Sequence, residues 1–283
     1  MCNVCGCGQS ETQIEGKEHV HHDHEHNHNH HHTLTDKLHD YGQGPAHTRV
    51  PGMDQHRIVQ IEQGILEKNN HYAKANREYF DRHGIFTLNL LSSPGAGKTT
   101  LLTNTINALK ERFPIAVIEG DQQTSNDADC IRKTGVPALQ INTGKGCHLD
   151  AHMVGHAVET LAPQEQSILF IENVGNLICP ATFDLGEAHK VVILSVTEGD
   201  DKPLKYSNMF HAADIMVINK VDLLPYVDFD ITACEGYARR VNPAIVIIQL
   251  SATSGEGMDS WFHCIESGTT DLSREHTGTS AST

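Results

Sequence analysis

The sequence predicts an α/β fold, a mostly parallel seven-stranded sheet with helices on both faces. Three observations carry that expectation: apolar runs recur after Gly84, each run is nearly continuous instead of alternating, and helical stretches separate most of them. Strands covered on both faces lose the period-two alternation of a half-solvated sheet, and parallel neighbours need long crossovers, usually helices. The runs are FTLNLL at 86–91, IAVIE at 115–119, ALQI at 138–141, ILFIE at 168–172, VVILSV at 191–196, IMVI at 215–218 and IVIIQL at 245–250. Helices are expected near 98–111, 124–134, 149–161, 203–212, 230–240 and 257–266. Ligands of such sheets sit at the carboxyl ends of the strands, so function is sought in the loops there.

Ahead of the sheet, Ile58, Ile61, Ile65, Tyr72, Tyr79 and Phe80 recur mostly at three-, four- and seven-residue spacing, which predicts an N-terminal helix within 53–84. Asp54 is placed to cap it and Gly84 to end it. Residues 1–52 have no apolar period and read as a disordered tail rich in Cys and His. The sheet domain is expected over 85–268, followed by a disordered C-terminal tail over 269–283.

The 283 residues carry 36 acidic and 21 basic side chains, a formal charge of −15. That balance argues against nucleic acid and anionic membrane as partners, since both need a basic surface. No run of eighteen apolar residues predicts a transmembrane helix. Met1-Cys2-Asn3-Val4-Cys5 lacks the basic-then-apolar pattern of a secretory signal. A cytoplasmic location is expected. In a reducing compartment the eight cysteines point to metal binding, catalysis or burial instead of disulfides.

After the first strand comes Ser92-Ser93-Pro94-Gly95-Ala96-Gly97-Lys98-Thr99, a phosphate-binding P-loop pattern with Ser92 in place of the first glycine. Backbone N–H groups of Gly95, Ala96, Gly97, Lys98, Thr99 and Thr100 would cradle phosphates at a helix N-terminus. Lys98 would reach the β- and γ-phosphates and the Thr99 hydroxyl would ligate Mg²⁺. Asn219-Lys220-Val221-Asp222 ends the sixth run, roughly 120 residues downstream. It is the guanine-reading N-K-x-D pattern: the Asp222 carboxylate accepts from N1–H and the exocyclic amine of guanine, a donor pair that adenine lacks. Ser251-Ala252-Thr253 follows the last strand and is placed to bring a backbone N–H to guanine O6. Asp121, in Glu119-Gly120-Asp121, and Glu172, in Glu172-Asn173-Val174-Gly175, end two further strands and are candidate Mg²⁺ ligands. Lys98, Thr99, Asp121 and Glu172 are the expected catalytic set for GTP. No glutamine stands after Gly175 to orient a water, so hydrolysis is expected to be slow or to need a partner.

Cys2-Asn3-Val4-Cys5-Gly6-Cys7 puts three thiols within six residues. Removal of Met1 would free the Cys2 α-amine as a fourth donor, a set that suits square-planar Ni²⁺ and also holds Zn²⁺. The tract HVHHDHEHNHNHHH at 19–32 offers overlapping imidazole sites for storage or buffering of metal. Cys147 and His148 follow the third strand and Cys179 follows the fourth, so all three should lie on the nucleotide side of the sheet. Cys130, Cys234 and Cys264 fall in helical stretches and read as packing residues.

Together these residues resemble the hydrogenase nickel-incorporation GTPases of the HypB family. The resemblance rests on the CxxCxC start, the His-rich insert, SSPGAGKTT, VIEGDQQT, NTGKGCHLD, FIENVGNLICP, LSVTEGDDKPLKY and NKVDLLP. It implies a P-loop GTPase that dimerises with GTP and delivers nickel during maturation of [NiFe]-hydrogenase. It implies a strong nickel site at Cys2, Cys5 and Cys7 and a second nickel or zinc site at Cys147, His148 and Cys179. As partners it implies the small zinc-binding maturation protein HypA and, indirectly, the hydrogenase large-subunit precursor. Two other readings stay open, a nickel or zinc storage protein with a secondary GTPase and a urease-type or zinc-type GTPase chaperone. The urease-accessory family carries Cys-Pro-His, and here Cys179-Pro180 is followed by Ala181, which disfavours it.

Overall fold

A computed structural model describes residues 52–121, 126–144 and 146–279. Cys2, Cys5, Cys7 and the histidine tract lie outside the described residues. The chain divides into two compact units, Met1–Gly64 and Ile65–Thr283. What is described of the first is chiefly the start of α1, Gln55–His83. The Asp54 carbonyl accepts from Ile58 N at 3.1 Å, which opens the helix. At its end Gly84 takes φ 64°. Gly84 N donates to Asp81 O at 3.2 Å and Ile85 N to Phe80 O at 2.9 Å, a pair of bonds that closes the last turn and needs a left-handed residue between them.

The second unit holds seven strands: β1 Phe86–Ser92, β2 Ile115–Asp121, β3 Ala138–Asn142, β4 Ile168–Glu172, β5 His189–Ser195, β6 Ile215–Asn219 and β7 Val246–Gln249. Their order is β3-β2-β4-β1-β5-β6-β7. Every pairing is parallel, not merely most of them. The crossovers use α2 Lys98–Leu109, α3 Asn126–Arg132, α4 Ala151–Leu161, α5 Lys202–Lys205, α6 Ser207–Ala212 and α7 Ile231–Val241, with 3-10 turns at Cys179–Thr182 and Val221–Tyr226, and α8 Met258–Thr279 follows the last strand. All of β1 and β4 is buried, which is why both runs read as continuous. One face packs Leu88, Leu90 and Phe170 against Leu101, Ile106 and Trp261 of α2 and α8. The other packs Ile118, Leu169 and Ile171 against Phe80 and Val154, and Val192, Leu194 and Met216 against Phe210. Trp261 Nε1 donates to Thr105 Oγ1 at 2.8 Å, satisfying the indole inside the core.

Helix α1 is tied to the sheet domain through polar groups. Asn69 Oδ1 accepts from Ala151 N at 2.9 Å, and Asn76 Nδ2 donates to Ala151 O at 2.8 Å and Leu185 O at 3.0 Å. Arg77 Nη2 lies 2.7 Å from Asp184 Oδ1.

Three sequence expectations are corrected. The stretch 203–212 is two short helices, broken at Tyr206. Cys130 is exposed and does not pack, whereas Cys234 is buried and its thiol is pushed up to about 12 by desolvation. The expected C-terminal tail at 269–283 is helix as far as Thr279. Thr269 is buried and its hydroxyl donates to Ile265 O at 2.8 Å, so the helical face continues past the expected end. Gly268, inside the helix, is there for space: a Cβ would overlap the Phe86 ring. Gly268→Ala is therefore expected to lower the unfolding free energy by about 1–3 kcal/mol through overpacking. A denaturant midpoint equal to that of the parent chain would show that α8 can shift.

Candidate functional site

The carboxyl ends of the parallel strands form one edge, and β1 at its centre opens into the phosphate loop. Ser92 is buried and its Oγ donates to Ser93 O at 2.8 Å. Its φ is not positive, so the position makes no demand that only glycine meets. The left-handed turns fall instead on Gly95 (φ 80°) and Gly97 (φ 92°), directly before α2. A Cβ on Gly97 would come within 2.6 Å of Asn219 Nδ2. Ala96 is buried and Thr100 exposed.

Asn219, at the end of β6, fastens this loop to the neighbouring one. Its Nδ2 donates to Ala96 O at 2.9 Å, while Oδ1 accepts from Lys220 N at 2.8 Å and Ala252 N at 3.0 Å. Lys220, itself left-handed at φ 64°, sends Nζ to Gly95 O at 2.6 Å. Asp222 Oδ1 is buried and accepts no hydrogen bond among the described residues. A buried carboxylate oxygen without a donor is costly, and it stands at the position expected to read guanine. In the loop after β7, Ser251 is buried and its Oγ accepts from Ser254 N at 3.0 Å. Thr253 is exposed. The Ala252 N–H is engaged by Asn219, so it serves to lock the two loops together.

The phosphate end is built around Glu172 at the end of β4. Glu172 is 1% exposed. Its Oε1 lies 3.2 Å from Lys98 Nζ and accepts from Thr99 Oγ1 at 2.6 Å. Lys98 Nζ also donates to Asn173 O at 2.6 Å. Glu172 Oε2 is buried with no hydrogen-bond partner among the described residues. Asp121 lies one strand over and is partly exposed, two residues beyond Glu119, which pairs in register with Glu172.

Toward the β3 edge, Cys147, His148 and Cys179 come together, with one donor atom from each lying within 4.8 Å of the others. Cys147 Sγ is 3.6 Å from His148 Nδ1. The His148 imidazole lies against Phe183, ring centroids 4.0 Å apart. Desolvation lowers its pKa and Asp150 offsets this only in part, which favours the neutral ring, with a lone pair for a metal. Cys179 begins the 3-10 turn after β4. Two soft thiols and an imidazole suit Ni²⁺ or Zn²⁺.

Sequence reading gave no role to three residues that join these parts. Asn173 accepts from Lys98 through its carbonyl, while its side-chain Oδ1 accepts from Leu149 N at 3.1 Å and its Nδ2 donates to Asn89 Oδ1 at 3.3 Å. Asn176 Nδ2 donates to Cys147 O at 3.2 Å. The loop after β4 thus touches the phosphate lysine on one side and the Cys147–Leu149 backbone on the other. Lys202 donates to Ser93 Oγ at 2.7 Å and lies 2.6 Å from Glu198 Oε2, which ties the loop after β5 to the phosphate loop. Its position past the end of β5 was the available signal.

The family model described as CobW/HypB/UreG, nucleotide-binding domain, matches residues 86–249. The hydrogenase maturation factor HypB of Azotobacter vinelandii is 62% identical over 279 residues, covering 94% of this chain and 92% of that protein. The HypB of Escherichia coli K12 is 53% identical over 286 residues, covering 94% and 98%. Among solved structures, HypB from Archaeoglobus fulgidus superimposes with a TM-score of 0.68 at 38% identity, over 72% of this chain and 99% of that one. HypB from Helicobacter pylori in complex with nickel gives 0.68 at 38%, over 72% and 96%.

Proposed function

The chain belongs to the HypB family of hydrogenase maturation factors, with a P-loop GTPase-like fold, and from that premise we propose that it is a GTP-hydrolysing nickel metallochaperone. In this reading it carries Ni²⁺ to the [NiFe]-hydrogenase large-subunit precursor. It works as a GTP-dependent homodimer and together with the small zinc-binding protein HypA. Cys147, His148 and Cys179 hold the cargo ion in the GTPase domain. Cys2, Cys5, Cys7 and the Cys2 amine form a separate nickel site, and the 19–32 tract buffers metal.

The observation that carries the proposal is the bridge made by Asn173, between the lysine that contacts phosphate and the loop bearing Cys147 and His148. Lys98 Nζ donates to Glu172 and to the Asn173 carbonyl, and a bound triphosphate competes for its N–H donors. When Nζ turns from Asn173 to phosphate, that carbonyl is released, and the side chain that holds Leu149 belongs to the same residue. Guanine is selected by Asp222, whose buried Oδ1 lacks a donor among the described residues. Thr99 Oγ1 and the unpartnered Glu172 Oε2 are oxygen donors suited to a hard cation, and Asp121 is a further candidate. Mg²⁺ held there would neutralise charge on the β- and γ-phosphates. Three protein ligands leave one position of a four-coordinate cargo ion for an acceptor or for the second copy in a twofold dimer.

The test is made on the full-length chain with Cys2, Cys5 and Cys7 replaced by serine, so that thiolate–nickel absorption reports Cys147 and Cys179. Nickel affinity with GDP and with a non-hydrolysable GTP analogue is expected to differ by about 5–150-fold, with different absorption bands, as a coupling of about 1–3 kcal/mol requires. Equal affinities and identical bands would make the site structural.

A further inference from the structure

Asn89 stands in β1, the middle strand of the sheet, with no exposed surface. An apolar side chain would be buried there at less cost. Leu88 and Leu90 pack with α2 and α8, so the alternation along the strand turns Asn89 to the opposite layer. There it joins two polar groups that are themselves buried. Asn173 Nδ2 donates to Asn89 Oδ1 at 3.3 Å, and Asn89 Nδ2 donates to Glu187 Oε1 at 3.0 Å.

Glu187 is a buried carboxyl that the nucleotide chemistry does not use. Desolvation pushes its pKa up, and Lys190 Nζ, 3.8 Å from Oε1, opposes this. Its Oε2 accepts from Leu185 N at 2.6 Å. The 184–187 segment is gripped on its other side by α1. Asn76 Nδ2 donates to Leu185 O at 3.0 Å, Asn69 Nδ2 donates to Asp184 O at 2.7 Å, and Arg77 pairs with Asp184. At the far end, Asn173 O accepts from Lys98 Nζ at 2.6 Å. A line of polar contacts thus runs from the phosphate lysine through Asn173, Asn89, Glu187 and Leu185 to Asn76. Removing one member leaves its neighbours buried without partners, whereas an apolar set of the same shape would cost little stability.

We propose that Asn89, held by Glu187, is a positioning residue of the nucleotide site. It sets the Asn173 side chain from inside the sheet, so that the lysine that meets phosphate and the grip of α1 on the 184–187 segment bias each other. This rests on the GTPase reading above and gives the Asn173 bridge a second direction, away from the cysteines. When Lys98 turns to phosphate, the Asn173 carbonyl and side chain shift as one residue, and Asn89 passes the change to Glu187. Contiguity supplies the route, and the coupling itself is what the experiment measures.

The test is amide hydrogen exchange on the full-length chain, nucleotide-free and saturated with a non-hydrolysable GTP analogue and Mg²⁺, with binding of the analogue measured directly. Exchange is read at Leu185 and over residues 69–83 of α1, against Val217 of β6 as a core amide that reports global opening. In the parent chain the ratio of exchange rates between the two states is expected to depart from that of Val217 by about fivefold or more, as coupled sites do. In Asn89→Leu that excess should vanish while the analogue still binds and α1 is still protected. A merely structural Asn89 would lower protection alike in both states and leave the excess in place. Glu187→Gln keeps the shape and one acceptor, should shrink the excess, and serves where Asn89→Leu does not fold. The inference is overturned if the parent binds the analogue without any excess, or if the full excess survives in either folded variant. A chain that binds no guanine nucleotide overturns the GTPase reading and the inference with it.

Discussion

Lys98→Ala is expected to lower GTP turnover by on the order of 10²–10³-fold, the cost of removing one preorganised charge from a site where phosphate charge develops. Lys98 Nζ lies 3.2 Å from Glu172 Oε1 and 2.6 Å from Asn173 O, at the start of the helix that follows the P-loop pattern. Its loss also leaves Glu172 buried without a cation, a change that destabilises folded proteins by several kcal/mol when no other group compensates. Steady-state phosphate release and circular dichroism measured together separate the two effects. A folded variant turning over GTP at the parent rate would remove Lys98 from the mechanism. Nickel held by Cys2, Cys5 and Cys7 should be unchanged, since roughly 90 residues separate the two motifs; loss of that nickel would refute their independence.

Asp222→Asn is expected to weaken GTP binding by on the order of 10³-fold and to strengthen binding of xanthosine triphosphate. Two charge-assisted hydrogen bonds of about 1.5–3 kcal/mol each are lost with guanine. With xanthine, the new amide donates to the ring oxygen that replaces the exocyclic amine. Asp222 Oδ1, buried and without a hydrogen-bond partner among the described residues, is the structural reason to expect so large an effect. Competition between the two nucleotides for the parent and variant chains decides it, and an unchanged preference for GTP would move guanine recognition elsewhere.

Much of the sheet was legible because burial on both faces writes itself into composition. Leu88, Leu90, Phe170 and Ile171 lie in strands with no exposed side, so periodicity had nothing to confuse. At the edge the signal weakens: β7 covers only 246–249 of the expected 245–250, and Val246 and Gln249 are exposed. The end of α8 was missed: Gly268 lies inside the helix, and its reason for being glycine is a ring from β1, 182 residues earlier in the chain. Lys98, Thr99, Asn219 and Asp222 could be proposed from the sequence because phosphate- and guanine-binding patterns fix residue types at short spacings. Asn173 was not, since it acts through a main-chain carbonyl and through partners at Leu149 and Asn89, 24 and 84 residues away. Nor does spacing alone tell an exposed cysteine such as Cys130 from a buried one such as Cys234.

The asparagines of α1 bear on where this chain can be cut. Asn69 and Asn76 take both the N–H and the C=O of Ala151, a residue with no exposed surface. A protein begun at residue 85, where the first strand invites a boundary, would leave those two main-chain groups facing apolar surroundings or newly admitted water. A cut that leaves these bonds in place falls upstream of Asn69. The helix between is less a linker than the first framing member of the domain, added in sequence before the sheet it braces.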